Sequence, residues 1–277
     1  MSTKALKTQL MAAIAMVLVA ALALGSSTYA WFAQNTKVTA DSMTLSAQTA
    51  ANLSISKTSA TAGFGTSIAF DNASKGAAIV PVTMTAKIDA AYAAIGTAGT
   101  QTKIDGEEIK FYKIDNDNNV QDPSVTTADH PISTQLQTDG SVTDYFTEDT
   151  GLDNVLKNTF WVKYDAEAGT TKAVKLTLTV KDADSTGTAI NNAFHMGILV
   201  YGATTADNKF YNYDMSATTP AAGVYTFNAD SFVTLTSGTP VKMDVFAWYE
   251  GEDEHCTTVN AVAVDALQAG ITFETMS

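Results

Sequence analysis

Arginine is absent from this chain: all 16 basic residues are lysine, set against 29 acidic residues, for a formal net charge of −13. A reader of phosphate backbones needs a cationic face and usually the planar fork of arginine, so nucleic-acid binding is not expected. Cysteine is almost absent. Cys256 stands alone, so no intrachain disulfide forms, and stability has to come from packing, a bound ion or neighbouring subunits. Its thiol reads as buried or idle in preference to an intermolecular bridge. Histidine occurs only as His130, His195 and His255, and no two of them stand at the H-E-x-x-H spacing of zinc proteases. No Gly-x-Ser-x-Gly elbow is present either. With 45% hydrophobic residues and few prolines, the composition is that of a packed domain and not of a disordered chain.

Charge is also scarce at the start. Lys4 and Lys7 are the only charges in the first thirty residues, and no acid precedes Asp41. An unbroken apolar run from Leu10 to Leu24 follows the lysines, then Gly25, Ser26, Ser27, Thr28, Tyr29 and Ala30. A basic start, an apolar middle and a small-residue exit make a secretory signal. The run is 15 residues long, whereas about 20 are needed to span a bilayer. An uncleaved anchor is the alternative. A type IV pilin leader would carry an acid just inside the apolar run, and none is there. Residues 1–30 are therefore expected to be a cleavable signal helix, and residues 31–277 a secreted domain, extracellular or at the cell surface. Loss of Lys4 and Lys7 deepens the net charge to −15. The stretch from Ile271 to Ser277 has no apolar tail, basic stop or wall-sorting motif, so no stable membrane anchor is expected after cleavage. Such a chain diffuses away, binds a surface or polymerises.

The mature segment is dominated by β-branched alternation. In 172–181, Val174, Leu176, Leu178 and Val180 fall on one face, and Lys175, Thr177, Thr179 and Lys181 on the other. That period of two marks a half-buried antiparallel strand. Similar runs occur at 109–114, 160–164, 193–201, 209–213, 231–235 and 241–249, separated by Gly, Asn, Asp and Ser clusters. Short strands with turn signals between them predict an all-β antiparallel sandwich of jelly-roll type with few short helices. Helical signals are confined to 260–268, with Asn260 as cap and Gly270 beyond, and to one turn at 153–158. Residues 88–95 are ambiguous, and 97–106 read as an exposed insertion loop. In 241–249, Val241, Met243, Val245, Ala247 and Tyr249 share one face while Phe246 and Trp248 share the other. A strand apolar on both faces lies between layers or is covered by a partner, a subunit or a glycan.

The segment 31–57 has its own character. Met43, Leu45, Ala47, Leu53 and Ile55 share a face if one strand runs through without a bulge, backed by Thr44, Ser46 and Ser54. Such a terminal strand either completes its own sheet or pairs with another subunit.

The junction Gly25-Ser26-Ser27-Thr28-Tyr29-Ala30-Trp31-Phe32 resembles the signal exit of the TasA/camelysin family, which is processed by a SipW-type signal peptidase. The run Val245-Phe246-Ala247-Trp248-Tyr249-Glu250-Gly251-Glu252-Asp253-Glu254-His255-Cys256 is similar to a late strand-and-loop segment of exported proteins with this leader. Elsewhere the likeness is one of texture. The resemblance implies cleavage between Ala30 and Trp31, with Thr28 in the recognised exit. It also implies an extracellular jelly-roll subunit of biofilm-matrix fibres, in which the N-terminal segment of one subunit completes the sheet of the next. The donor would lie within residues 31–47, with Val38, Met43, Leu45 and Ala47 as the inserted side chains. This is β-augmentation, where main-chain hydrogen bonds supply affinity and alternate side chains fill pockets.

Some camelysin-type relatives are described as metalloproteases, but the histidine spacing does not support one here, and no enzyme is expected. His195 in a strand-like run reads as structural. Asp115, Asp117 and Asn119 begin like a calcium loop, which then fails at Val120 and Thr126, where glycine and glutamate belong; an Asn/Asp turn accounts for them better. Glu250, Glu252, Asp253, Glu254, His255 and Cys256 form the densest polar cluster, read as a solvated acidic loop or, with Glu252 and Asp253 as ligands, a weak cation site. No cofactor is expected beyond weakly held calcium. The expected function is a secreted structural or surface protein that self-associates into fibres. The alternatives are a monomeric secreted binding module or adhesin and, behind it, a metalloprotease.

Overall fold

The computed structural model describes residues 44–49, 52–70, 81–88, 91–94, 101–104, 108–114, 132–142, 146–182, 193–204, 207–253, 256 and 267–276. Three sheets build it. The first runs in spatial order β13 (Val224–Thr236), β10 (Thr171–Asp182), β15 (Leu267–Thr275), β1 (Thr44–Thr49) and β3 (Ser67–Ala69). The second runs β2 (Leu53–Ser56), β9 (Leu156–Tyr164), β14 (Val241–Tyr249), β11 (Phe194–Val200), β12 (Lys209–Asp214) and β6 (Gln101–Lys103). The third runs β5 (Ala91–Ala94), β4 (Thr83–Ile88), β7 (Ile109–Ile114) and β8 (Phe146–Glu148). A single turn of helix, α1 (Ile132–Gln135), lies against it through Ile132, which packs with Tyr112 and Phe146.

The protein is an all-β sandwich of antiparallel sheets, as the alternating strands predict. Val174, Leu176, Leu178 and Val180 are fully buried between the first two sheets, together with Phe160, Val162, Ile198, Met243, Val245, Ile271 and Phe273. The double-faced strand is explained by a third layer. Met243, Val245, Ala247 and Tyr249 of β14 enter this main core. Phe246 and Trp248 point the other way, into a second core with Met84, Ala86, Phe111, Leu199 and Phe210 under the third sheet. The chain's own β4 and β7 cover the aromatic face, so it is no glycan platform.

Several local expectations are corrected. The apolar run of Met43, Leu45, Ala47, Leu53 and Ile55 is not one strand. Asn52 adopts a left-handed φ of 65°, and the chain passes from β1 in the first sheet to β2 in the second. Ala47, Leu53 and Ile55 still meet, because both sheets face one core. The helix expected over 260–268 fails at its end, where Leu267 and Gln268 begin β15. Gly270, expected just beyond the helix, sits inside that strand, with Thr179 Oγ1 3.1 Å from where a Cβ would stand. The loop expected over 97–106 contains β6, which pairs with β12. Residues 88–95 contribute the end of β4 and all of β5, which pair antiparallel. In 153–158 the turn at 153–154 gives way to β9 at Leu156. Among the named strand pairs, β1 with β15 is parallel, an exception in an antiparallel fold.

One glycine fixes a close approach. A Cβ on Gly197 would stand 2.2 Å from Phe210 Cζ on the neighbouring strand, and Phe210 is fully buried. Gly197→Ala is expected to cost about 2 kcal/mol through overpacking, read as a lower midpoint in urea with unchanged slope. Gly238, at φ 78°, serves the turn between β13 and β14.

Buried tyrosines add a pH limit. Burial pushes the Tyr211 phenol up to about 12, and its hydroxyl donates to Phe232 O. Burial likewise raises Tyr213, with Tyr211 adding to it, and Tyr112. The folded state therefore holds these protons more tightly than the unfolded chain does. Stability is expected to be intact below pH 10 and to fall as pH climbs through 10–12, by up to about 1.4 kcal/mol per pH unit for each tyrosine. Urea titrations between pH 8 and 12 check this.

Candidate functional site

Two places bear on function. The first is the slot of the N-terminal strand. β1 lies between β15, with six residue pairs from Thr44 with Gln268 to Thr49 with Phe273, and β3, with three. Its Ala47 is 1% exposed and part of the main core. Of the expected donor residues, Leu45 and Ala47 fall in β1, while Val38 and Met43 lie outside the described residues. So do Thr28, Ala30 and Trp31 of the cleavage junction. In this structure β1 completes the sheet of its own chain. A strand in such a slot is held by main-chain hydrogen bonds that any copy of the same segment makes equally well, and its removal bares the edge of β15.

The second place is the acidic turn after β14. Glu250 is fixed by its surroundings: Oε2 accepts from Trp248 Nε1–H at 3.1 Å and from the Met84 N–H at 3.4 Å, and Oε1 accepts from the Glu252 N–H at 3.3 Å. The backbone is tied down as well, because Glu250 N–H donates to Ala193 O at 2.8 Å and Gly251 N–H to Val82 O at 3.1 Å. Glu252 is exposed as a residue, and its carboxylate accepts from the Ile132 N–H. Partial desolvation of the carboxyl group raises its pKa to about 7, with the Ile132 bond opposing and the nearby Glu250 charge adding. Cys256 is buried and free. Burial, then the charges of Glu250 and Asp253, raise its thiol well above the ordinary range, which makes it the idle group the sequence suggests.

His195 is what the turn closes over. It sits in β11, directly opposite Asp214 of β12 and Trp248 of β14. Its Nε2 is 3.4 Å from Asp214 Oδ1 and 3.8 Å from Asp253 Oδ2, and its ring centroid is 5.6 Å from that of Trp248. The residue is 7% exposed. Burial alone would drive the imidazole toward its neutral form. Asp253, Glu250 and Asp214 together outweigh burial and hold its pKa above the ordinary histidine value. Asp214 is itself positioned as the cap of a 3-10 turn, Met215–Ala217, where Oδ1 accepts from the Ser216 N–H at 2.7 Å.

Of the expected cation ligands, Asp253 belongs to this group and Glu252 lies beside it. Asp115, Asp117 and Asn119 lie outside the described residues. Reading the sequence missed Asp214 and took His195 as a structural residue, since the strand register that joins them is not visible in local patterning.

The fold defines a class, an all-β sandwich of antiparallel sheets with a third sheet over one face. No family model matches the chain, and no curated protein matches it in sequence. Among solved structures it is similar to AvmM, described as catalysing macrocyclization in alchivemycin A biosynthesis, at 11% identity and a TM-score of 0.23. The match covers 36% of this chain and spans 58% of the length of that one. At that TM-score the likeness bears on neither fold nor function.

Proposed function

We propose that the protein is a secreted structural or surface subunit, released from its leader between Ala30 and Trp31 by a SipW-type signal peptidase and joined to its neighbours through its N-terminal strand. It acts without catalysis, as a TasA-like component of extracellular matrix fibres. The observation that carries this reading is the seat of β1. The first described segment of the chain fills an interior slot between β15 and β3, runs parallel to β15, and places Ala47 in the core. Cleavage of the leader frees the chain just ahead of this strand. A freed strand can leave its own slot and enter that of the next copy, which turns a monomer into a filament without any new surface.

Negative-stain microscopy of residues 31–277 tests this, beside a chain lacking residues 31–49 and the same chain supplied with a synthetic 38–50 peptide. Filaments are expected from the intact chain and not from the truncation, and the peptide should restore a folded, soluble monomer. Filaments from the truncated chain would sink the reading. A second reading is a monomeric secreted binding module, favoured by the same strand lying in its own sheet. It predicts a monodisperse monomer in every condition.

A further inference from the structure

We infer that His195, Asp214 and Asp253 form a binding site for one divalent transition-metal ion of the zinc type, and that the ion locks the acidic turn onto the sandwich. One ligand atom from each of the three lies within 4.8 Å of the others. Zinc bonds of about 2.0–2.2 Å in tetrahedral geometry place neighbouring ligand atoms about 3.3–3.6 Å apart. The 3.4 Å and 3.8 Å separations from His195 Nε2 need little closure to reach that spacing.

The decisive observation is the histidine. Although the residue is only 7% exposed, neither Nδ1 nor Nε2 has a hydrogen-bond partner among the described residues. The carboxylates that flank it lie within ion-pair distance of Nε2, but outside hydrogen-bonding geometry. A buried polar group is ordinarily satisfied, and an ion between Nε2 and the two aspartates would give Nε2 a partner while offsetting their charge. Asp214 and Trp248 hold the ring in place from the strands on either side.

The donor set selects the ion. Calcium and magnesium take oxygen ligands, whereas imidazole together with carboxylate suits zinc and its transition-metal neighbours. Three protein ligands leave a position for water. Because the ligands come from β11, β12 and the turn after β14, the ion ties together segments that are distant in sequence.

The test uses the mature chain, residues 31–277, stripped with a chelator and titrated with zinc chloride by calorimetry and thermal melting. One zinc per chain is expected, with a melting temperature raised by several degrees at an excess of 100 times Kd. His195→Gln and Asp253→Asn should each weaken binding at least tenfold. Asp253→Asn, on the turn and outside the strands, keeps the comparison valid should His195→Gln not fold. X-ray absorption of the zinc form should show one imidazole in the coordination shell. No zinc bound by the intact chain, or equal affinity in folded Asp253→Asn and the intact chain, would overturn the site.

Discussion

Replacing Trp248 by alanine is expected to lower stability by about 3–5 kcal/mol, which for a chain of this size is a melting temperature lower by about 10 °C. Trp248 is 1% exposed and carries the contact between the second and third sheets. Its ring meets Phe111 edge-on at 5.3 Å and lies beside His195. Its Nε1–H holds Glu250, which in turn receives the Met84 N–H. The substitution therefore opens a cavity and also releases the acidic turn. Trp248→Phe keeps most of the volume and loses chiefly the hydrogen bond, so a cost of about 1–2 kcal/mol is expected. Urea denaturation of the three proteins separates the two contributions. Equal losses for alanine and phenylalanine would show that the hydrogen bond, and not the packing, carries the contact.

Asp244→Ala is expected to cost about 3 kcal/mol. The Asp244 side chain is 1% exposed, in the middle of β14, yet its carboxylate meets three donors. Thr159 donates to Oδ1 at 2.7 Å, Tyr201 to Oδ2 at 2.8 Å, and Lys157 Nζ pairs with Oδ2 at 3.0 Å. A further cation, Lys242 Nζ, lies 3.9 Å from the centre of the Tyr201 ring. Removing the acceptor takes away the partner of the Thr159 hydroxyl on β9 and of the Tyr201 hydroxyl just beyond β11. Lys157 can turn to water, since its side chain is 40% exposed, which limits the loss. Asp244→Asn retains an acceptor and should cost about 1 kcal/mol. A free energy unchanged in Asp244→Ala would mean that the network is decoration on a sheet held by packing alone.

Strand character was legible wherever one face alternates. The four aliphatics of β10 announce their own burial, and β14 announces that it is covered on both sides. What covers it was not legible, since β4 and β7 lie over 100 residues away and show only ordinary strand patterning. The break at Asn52 was hidden because the odd-numbered apolar residues do share a core, reached from two sheets instead of one. The helix expected over 260–268 gives way at Leu267 and Gln268, where strand pairing to β10 and β1 overrides propensity; residues 260–266 lie outside the described residues. The histidine group was illegible for a different reason. His195, Asp214 and Asp253 are brought together by the register of β11 with β12 and by the turn beyond β14, and register is a property of the sheet and not of any one strand.

Exchange of β1 between chains is measured directly by a mixing experiment. Gln48 of β1 pairs with Thr272 of β15, at a spacing that a disulfide can bridge. In a Cys256→Ser background, one chain carries Gln48→Cys and a second carries Thr272→Cys, so a bridge between the two positions can form only between chains. The two are mixed under assembly conditions, oxidised, and resolved on a non-reducing gel, with each chain oxidised alone as control. A covalent dimer that appears in the mixture and exceeds both controls is the predicted result. Filaments with no such dimer, or chains that stay monomeric and uncrosslinked, would show that β1 keeps to its own sheet and would contradict strand exchange.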